Sequence, residues 1–235
     1  MQRIAVIGAG AWGTALAAVA QRAGRDVIIH AHEPETAAAI NDRHENPVFL
    51  PGISLDPAIA ATEDLARAAD GTDAILMVTP AQFLHPTLAA LAPPAGTPVV
   101  ICSKGIELNT GRLMNEVAEE AAPGAALAVL SGPTFAAEVA RGMPTAVTLA
   151  CADEDIATTL ASALGTPSFR PYTATDIVGA EVGGAIKNVI AIACGIVEGR
   201  ALGQNARAAV IARGLAEIAR FATALVPGMC SFAAS

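Results

Sequence analysis

The sequence predicts an α/β protein with a Rossmann-type, doubly wound, mainly parallel sheet over residues 1–172, followed by an incomplete all-α second domain over 173–235. Three observations predict this division. Short apolar strands alternate with helical stretches through the first part, a glycine-rich turn joins the first strand to the first helix, and the last part reads as long helices with no strand between them. We place the domain boundary close to Thr173.

The first strand, Ile4–Ile7, runs into glycines at positions 8, 10 and 13, and a helical stretch at Thr14–Arg22 follows. In this G-x-G-x-x-G pattern Gly8 permits a tight turn, Gly10 lets the backbone approach a pyrophosphate, and Gly13 lets the helix pack close to the strand. The helix N-terminus then faces the anion. An incidental turn is the alternative, but the strand before the glycines favours dinucleotide binding.

The second strand, Val27–His30, bears on which dinucleotide binds. The next residue, Ala31, stands where an NAD-preferring site usually has an acid for the ribose 2′-hydroxyl. His32 follows and is a candidate contact for the 2′-phosphate of NADP, although a solvated loop histidine explains it equally well. NADP is therefore the expected cofactor. NAD remains the alternative, because Glu33 takes the acid's role if the strand is slightly longer.

Composition and charge exclude several other functions. The chain has 235 residues, is 53% hydrophobic and carries a net charge of -8, so it can bury a core and offers no basic surface for nucleic acid. The apolar run Val189–Val197 is too short to span a bilayer, and no signal peptide is evident, so we expect a cytoplasmic protein without a membrane span. The cysteines and histidines have no metal-ligand spacing, so we expect no metal site.

The remaining elements follow in order. Further strands are predicted at Ala74–Val78, Val99–Cys102, Leu127–Leu130 and Ala146–Leu149, and helices at Glu63–Ala69, Gly111–Ala121 and Glu154–Leu164. The last part contains the long helical stretches Asp176–Glu198 and Ala206–Leu225. Ligands of such sheets bind at the carboxyl ends of the strands, so the residues after each strand are candidate site residues.

Two loops at this edge carry candidate anion-binding groups. Lys104 follows the strand Val99–Cys102 and is a candidate anion clamp, with a solvated loop lysine as the ordinary alternative. The segment 131–135, S-G-P-T-F, leads into a helix at Ala136–Arg141. Its free amides and the Thr134 hydroxyl would bind a phosphate or carboxylate. A serine N-cap with proline in the first turn explains the same residues without a ligand.

The first long helix contains a third candidate site. Gly183 and Gly184 lie three and four residues before Lys187, and each mid-helix glycine costs about 1 kcal/mol relative to alanine. Bare backbone below a lysine would admit a flat ligand. Close helix packing explains the glycines as well, but it does not explain Lys187 and Asn188 within an apolar stretch.

Several blocks together carry a resemblance to a known family. They are G-A-G-A-W-G-T-A-L-A, F-L-P-G at Phe49–Gly52, S-K-G-I-E, S-G-P-T-F-A-A-E-V-A-R-G-M-P-T-A, E-V-G-G-A-I-K-N-V-I-A-I, and G-Q-N-A-R-A-A-V-I-A-R-G-L-A-E-I. In this order they closely resemble the bacterial NAD(P)-dependent glycerol-3-phosphate dehydrogenases. The resemblance extends from Ile4 to about Leu225.

The resemblance implies hydride transfer between NAD(P)H and C2 of dihydroxyacetone phosphate, which gives sn-glycerol 3-phosphate for phospholipid synthesis. It makes Lys187 the proton donor and acceptor. It implies that Trp12, His32, Lys104 and Ala136 line the cofactor site together with the three glycines. It also implies that Lys104, Gly132 and Thr134 contact the substrate, with Asn188 beside them.

The C-terminal residues depart from the family pattern. The Gly-Leu-Gly-Asp and Ser-Arg-Asn segments that follow in the family are absent from residues 226–235, which read V-P-G-M-C-S-F-A-A-S. Those segments supply an acid for the catalytic lysine and an arginine for the phosphate. We therefore expect nucleotide binding with little or no turnover, and self-association through uncovered apolar helix faces. The functions left open are a working dehydrogenase, a dinucleotide-binding remnant that cannot turn over, and a related reductase of the ketopantoate or 6-phosphogluconate type.

Overall fold

The computed structural model describes residues 1–225. Residues 226–235, which depart from the family pattern, lie outside the described part, as does Cys230. Within the described residues the strands are β1 Arg3–Ile7, β2 Asp26–His30, β3 Glu45–Asn46, β4 Leu50–Ser54, β5 Ala60–Thr62, β6 Ala74–Met77, β7 Pro98–Ile101, β8 Ala126–Ser131, β9 Thr145–Cys151 and β10 Phe169–Ala174.

The α-helices follow the strands in alternation. They are α1 Ala11–Arg22, α2 Pro34–Ala38, α3 Leu65–Ala69, α4 Leu84–Leu91, α5 Met114–Ala121, α6 Ala136–Ala140, α7 Glu154–Leu164, α8 Ile177–Gly199 and α9 Gly203–Leu225. A π-helical turn, Ala39–Arg43, continues α2, and a 3₁₀ turn, Ala81–Phe83, precedes α4.

In the described part of the chain, eight strands form one sheet in the order β10-β9-β8-β7-β6-β1-β2-β5, and β3 pairs with β4 separately. All pairings in the large sheet are parallel except β8 with β9. The strand β1 lies between β6 and β2, so the glycine turn that follows it opens among the inner strands of the sheet. The doubly wound, mainly parallel sheet predicted from the sequence is confirmed.

The side chains of β1 alternate between two cores, one on each face of the sheet. Ile4 and Val6 join a core that includes α1 and α7, whereas Ala5 and Ile7 join a core that includes α4 and α5. All four are fully buried. Burial on both faces explains why the strand is a continuous apolar run rather than an alternating one.

Four strands, β3, β4, β5 and β10, were not predicted from the sequence. β3, β4 and β5 are short or contain Pro51 and Gly52, and β10 contains Pro171. β10 pairs in parallel with β9 through Ala174, and α8 begins at Ile177. The change from sheet to helices therefore falls at 175–176, while the division into domains at 172/173 stays a prediction.

The helices α8 and α9 pack against each other, and the first half of α8 packs against β8 and α5. By length and composition alone, α8 is apolar enough to cross a membrane, although its first turns are buried against the sheet. The sequence-based expectation of no membrane span rested on the shorter apolar run Val189–Val197. The apolar stretch that the structure presents is longer, because Glu181 and Lys187 lie within one continuous helix.

Candidate active site

The turn after β1 has the geometry that a dinucleotide cradle requires. Gly8 has φ +117°, and a Cβ there would lie 2.9 Å from the Val78 carbonyl oxygen. A Cβ on Gly13 would collide with the Gly8 carbonyl oxygen, so the helix approaches the turn as closely as backbone allows. A Cβ on Gly10 would meet nothing within 4 Å. Two of the three glycines therefore serve packing, and Gly10 borders open space.

The first turn of α1 leaves its amides available to an anion. Gly10 is the N-cap and supplies no side-chain acceptor, and no acidic residue lies in the first turn. The partial positive charge of a twelve-residue helix is therefore not neutralised by the protein. Open space at Gly10 and uncapped amides fit the pyrophosphate of a dinucleotide.

Trp12 lies between the glycine turn and the loop that carries Lys104. The Lys104 ammonium lies 5.9 Å from the centre of the Trp12 ring, within the range of a cation–π contact. The indole N–H of Trp12 is buried and has no hydrogen-bond partner among the described residues. The hydroxyl of Ser103 donates to the Thr79 carbonyl oxygen at 2.5 Å and so ties the Lys104 loop to the end of β6.

The chain contains two lysines, Lys104 and Lys187, and both donate to one acceptor. The Nζ of Lys104 lies 3.3 Å from the Gly132 carbonyl oxygen, and the Nζ of Lys187 donates to the same oxygen at 2.5 Å. Residues that are distant in sequence, from the loops after β7 and β8 and from α8, therefore meet at one point. That point is the carboxyl edge of the sheet, where the sequence analysis placed them.

This pair has electrostatic consequences. Burial, and after it the positive charge of Lys187, together lower the pKa of Lys104 to about 8. Two cations that share one carbonyl oxygen repel each other, and a bound dianion relieves that repulsion. The arrangement is thus suited to a phosphate-bearing ligand.

The two glycines of α8 have different surroundings. A Cβ on Gly184 would lie 2.8 Å from the Ser131 hydroxyl and 3.7 Å from Cγ of Lys104, whereas a Cβ on Gly183 would meet nothing within 4 Å. Close packing, one of the two explanations considered from the sequence, therefore applies to Gly184. Open space above the backbone, the other explanation, applies to Gly183.

The loop after β8 corrects the capping interpretation of this segment. Ser131 is the last residue of β8, and the helix α6 has Phe135 as its N-cap without a side-chain hydrogen bond. Ser131 is therefore not the N-cap, and Pro133 precedes the helix. With five residues, α6 is also too short for the amide-rich anion site that the sequence suggested. Thr134, half-buried in this loop, and Ala136, half-buried at the start of α6, remain candidate contacts for substrate and cofactor.

An arginine that was not predicted as a site residue contacts the helix that follows this loop. The guanidinium of Arg22, at the end of α1, donates to the carbonyl oxygens of Val139 and Ala140 at 2.7 and 2.8 Å. These oxygens lie at the end of α6, where a cation satisfies unpaired carbonyls. Arg22 therefore joins the end of α1 to the end of α6, the helix that follows the loop after β8.

The end of β2 differs from the expectation in one respect. Ala31 is fully buried in the core, and its amide donates to the Thr62 carbonyl oxygen. An acid at position 31 would therefore be buried, so the identity of Ala31 does not decide between NAD and NADP. The exposed residues at this point are His32 and Glu33, and the distinction depends on them.

Asn188 is exposed beside Lys187, at the outer surface of α8. A residue of this helix that the sequence analysis did not single out is Glu181, which is only 6% exposed. Its place in an apolar helix one turn before the glycines was a signal that could have identified it. Among the described residues, no group of three or more histidine, cysteine or acidic side chains is placed to hold a metal ion.

Comparisons with known proteins match nearly the whole chain. The family model described as NAD-dependent glycerol-3-phosphate dehydrogenase N-terminus matches residues 3–157, and the corresponding C-terminus model matches residues 176–234. The chain belongs to the NAD-dependent glycerol-3-phosphate dehydrogenase family. The C-terminal match includes residues 226–234, which the sequence analysis had set apart from the family pattern.

The curated relatives include proteins named glycerol-3-phosphate dehydrogenase [NAD(P)+]. That of Caulobacter vibrioides is 60% identical over 97% of this chain and 71% of its own length. That of Rhodospirillum rubrum is 62% identical over 96% of this chain and 65% of its own length. The chain therefore spans about two thirds of the length of these relatives.

Solved structures agree with the family assignment. A glycerol-3-phosphate dehydrogenase from Coxiella burnetii superposes with a TM-score of 0.90 at 36% identity, over 97% of this chain and 70% of that chain. A ketopantoate reductase from Ralstonia eutropha superposes with a TM-score of 0.61 at 18% identity, over 80% of this chain and 62% of that chain. The second likeness shows a shared fold alone.

Proposed function

We propose that this chain carries out the family reaction, in which NAD(P)H reduces dihydroxyacetone phosphate to sn-glycerol 3-phosphate for glycerophospholipid synthesis. The observation that carries the proposal is the convergence of Lys104 and Lys187 on the Gly132 carbonyl oxygen, beside a glycine turn that fits a dinucleotide. When bound, the nicotinamide supplies the hydride. The chain's own residues bind the substrate and supply the proton.

In this proposal Lys187 supplies the proton. Reduction of a ketone develops negative charge on its oxygen, and an ammonium within hydrogen-bond reach stabilises that charge and then donates its proton. The Gly132 carbonyl oxygen holds the Lys187 ammonium in place before substrate arrives. The substrate oxygen would then replace this carbonyl as the acceptor.

Lys104 binds the phosphate of the substrate in the same proposal. It is fixed between the Trp12 ring and the Gly132 carbonyl oxygen, so the same side chain reaches both the cofactor turn and the substrate loop. Thr134 and Asn188 would add hydrogen bonds to the substrate, and Ala136 would border the cofactor. The position of Thr134 and Ala136 directly after β8 supports their roles, whereas the role of the exposed Asn188 is supported by its place next to Lys187 on α8.

For the cofactor we propose NADP(H), with NAD(H) as the alternative. The names of the relatives give both nucleotides. His32 is exposed where the adenosine ribose of a dinucleotide lies in this fold, and it would contact a 2′-phosphate. Three further predictions are a cytoplasmic location, the absence of a membrane span, and self-association. Self-association is supported by the exposed apolar side chains Val189, Ile192 and Leu215.

The proposal is tested by NADPH oxidation with the 235-residue chain, with and without dihydroxyacetone phosphate, and by the same assay on Lys187→Ala. The sequence alone predicts little or no turnover, whereas the proposal predicts substrate-dependent oxidation. Lys187→Ala should reduce that oxidation by about 10² to 10³, the usual cost of losing one group that stabilises the transition-state charge. NADPH binding, followed by the fluorescence of Trp12, the only tryptophan, should be unchanged in the variant. Binding without any turnover would support the nucleotide-binding alternative, and equal activity of Lys187→Ala would refute the role of this lysine.

A further inference from the structure

The helix that carries Lys187 also carries a buried carboxyl group that the reaction does not use. Glu181 lies on the first half of α8 and is only 6% exposed. Both of its carboxyl oxygens are buried, and neither has a partner with full hydrogen-bond geometry. No arginine or lysine contacts it among the described residues, so an ionised Glu181 would be an unpaired buried charge, which is costly.

The neighbour of Glu181 across the α5–α8 interface also has a buried polar atom without a hydrogen-bond partner. Asn115, at the start of α5, has a buried Oδ1 without a partner. The backbone amide of Asn115 faces the Glu181 carboxyl. A protonated carboxyl has one O–H to donate and still accepts through its other oxygen. A neutral Glu181 therefore has a matching acceptor in Asn115 Oδ1 and a matching donor in the Asn115 amide.

We propose that Glu181 is a positioning residue whose neutral carboxyl joins α8 to α5 through Asn115, and so holds Lys187 at the substrate loop. Lys187 lies six residues further along the same helix, about 9 Å away at 1.5 Å per residue. The backbone of α8 approaches β8 at Gly184, between the two, so a displacement of the buried first half moves Lys187 relative to Gly132. The catalytic consequence rests on the proposed function, whereas the joining of the helices does not.

The ionisable groups around Glu181 agree with a neutral state. The pKa of Glu181 is raised to about 8, chiefly by burial; the Asn115 amide opposes this rise, and the negative charge of Glu116 adds to it. The strand β8 carries no ionisable side chain, and β9 carries Cys151, whose thiol pKa is itself raised by burial. The remaining charged groups on the elements packed against α8 are Glu119 and Glu120 of α5 and Arg207, Arg213, Glu217 and Arg220 of α9.

Most of those charged groups already have partners elsewhere. Glu120 pairs with Arg112, Arg207 pairs with Glu198, and Arg213 and Arg220 both pair with Glu217. On α8 itself, Asp176 accepts from the Gly179 amide as the N-cap. Glu181 is thus the group whose charge changes within the α5–α8 interface near pH 8, and its ionisation would loosen that interface.

The test compares wild type with Glu181→Gln, whose amide has one donor and one acceptor for the two proposed hydrogen bonds to Asn115 but cannot ionise. Hydrogen exchange of the α8 peptide is measured from pH 6.5 to 9.5 and corrected for intrinsic exchange. We expect exchange of wild-type α8 to become about tenfold faster per pH unit from pH 6.5 to pH 8 and to level off above pH 8. The opened segment loses the Glu181 proton at a lower pH than the closed one, so the closed interface weakens only up to the raised pKa. Exchange in Glu181→Gln should remain independent of pH. Equal pH dependence of the two proteins would overturn the proposal.

Glu116→Gln is the second variant, because glutamine keeps the α5 capping interaction with the Leu113 amide and removes the nearby negative charge. Its exchange transition should move to lower pH, and an unmoved transition would contradict the proposed electrostatics. In active enzyme, kcat of wild type should fall with the same transition, and Glu181→Gln should abolish that fall without changing KM for dihydroxyacetone phosphate. A chain without turnover would refute the proposed function and leave the exchange result to decide the role of Glu181.

Discussion

The contact between Gly184 and Ser131 allows a prediction in which two neighbouring glycines serve as each other's control. Replacing a mid-helix glycine by alanine stabilises a helix by about 0.5–1 kcal/mol when the methyl group has room. Gly183 has that room, so Gly183→Ala should raise the free energy of unfolding by this amount. At Gly184 the new methyl lies 2.8 Å from the Ser131 hydroxyl, which must turn away.

The cost of this rotation sets the magnitude. Moving a side chain away from its preferred rotamer costs about 0.5–1.5 kcal/mol. Gly184→Ala should therefore be less stabilising than Gly183→Ala by that amount. In a Ser131→Ala background the hydroxyl is gone, and the nearest remaining atoms, 3.7 Å or more from the new methyl, are at ordinary contact distance. The two substitutions should then be equivalent.

Urea unfolding is followed by circular dichroism for six proteins: wild type, Ser131→Ala, and each glycine-to-alanine substitution in both backgrounds. The six measurements give the coupling as a double-mutant cycle. Two results would refute the reasoning. One is equal stabilisation by both alanines in the Ser131 background. The other is a difference that persists after Ser131→Ala, which would mean that the backbone of β8, and not the hydroxyl, limits the approach of α8.

Two further predictions concern charge at the site. Because the pKa of Lys104 is about 8, its ammonium is present below that pH and is lost above it, so affinity for glycerol 3-phosphate should fall by up to about tenfold per pH unit between pH 8 and 10. Isothermal titration measures this, and Lys104→Met should bind weakly with no such pH dependence; a wild-type affinity that is constant over this range would contradict the lowered pKa. His32→Ala should weaken NADPH binding by about tenfold, or roughly 1.4 kcal/mol, and leave NADH binding unchanged. If direct titration shows both nucleotides weakened equally, His32 does not contact the 2′-phosphate.

The sequence predicted the sheet well because its strands are buried on both faces. β1, β6 and β7 consist mainly of consecutive apolar residues. Apolar runs of four or five residues are typical of buried strands and are too short for a typical helix. β10 escaped because its residues Arg170, Pro171 and Tyr172 are polar or break the pattern, while its pairing with β9 depends on contacts far apart in the chain. Edge strands are specified by their neighbours more than by their own composition.

The site could be predicted in part for a similar reason. The fold rule that ligands bind at the carboxyl ends of strands located Lys104 and the segment after β8 correctly at one edge. It could not show that Lys104 and Lys187 share the Gly132 carbonyl oxygen, since that depends on how far α8 approaches β8. It also gave no indication that Ala31 faces the core, because one residue more or less in a strand reverses the direction of its side chain.

The placement of both lysines at one point has a practical consequence for covalent chemistry on this protein. Apart from the N-terminal amine, Lys104 and Lys187 are the only primary amines in the chain. Near pH 8, where common acylating labels and aldehyde-coated supports are used, about half of Lys104 is present as the nucleophilic free base. Apart from the N-terminal amine, the lysine that dyes, biotin esters and lysine-directed crosslinkers meet in its free-base form is therefore Lys104, the proposed phosphate-binding group. Attachment through an introduced exposed cysteine or through a terminal tag avoids blocking it.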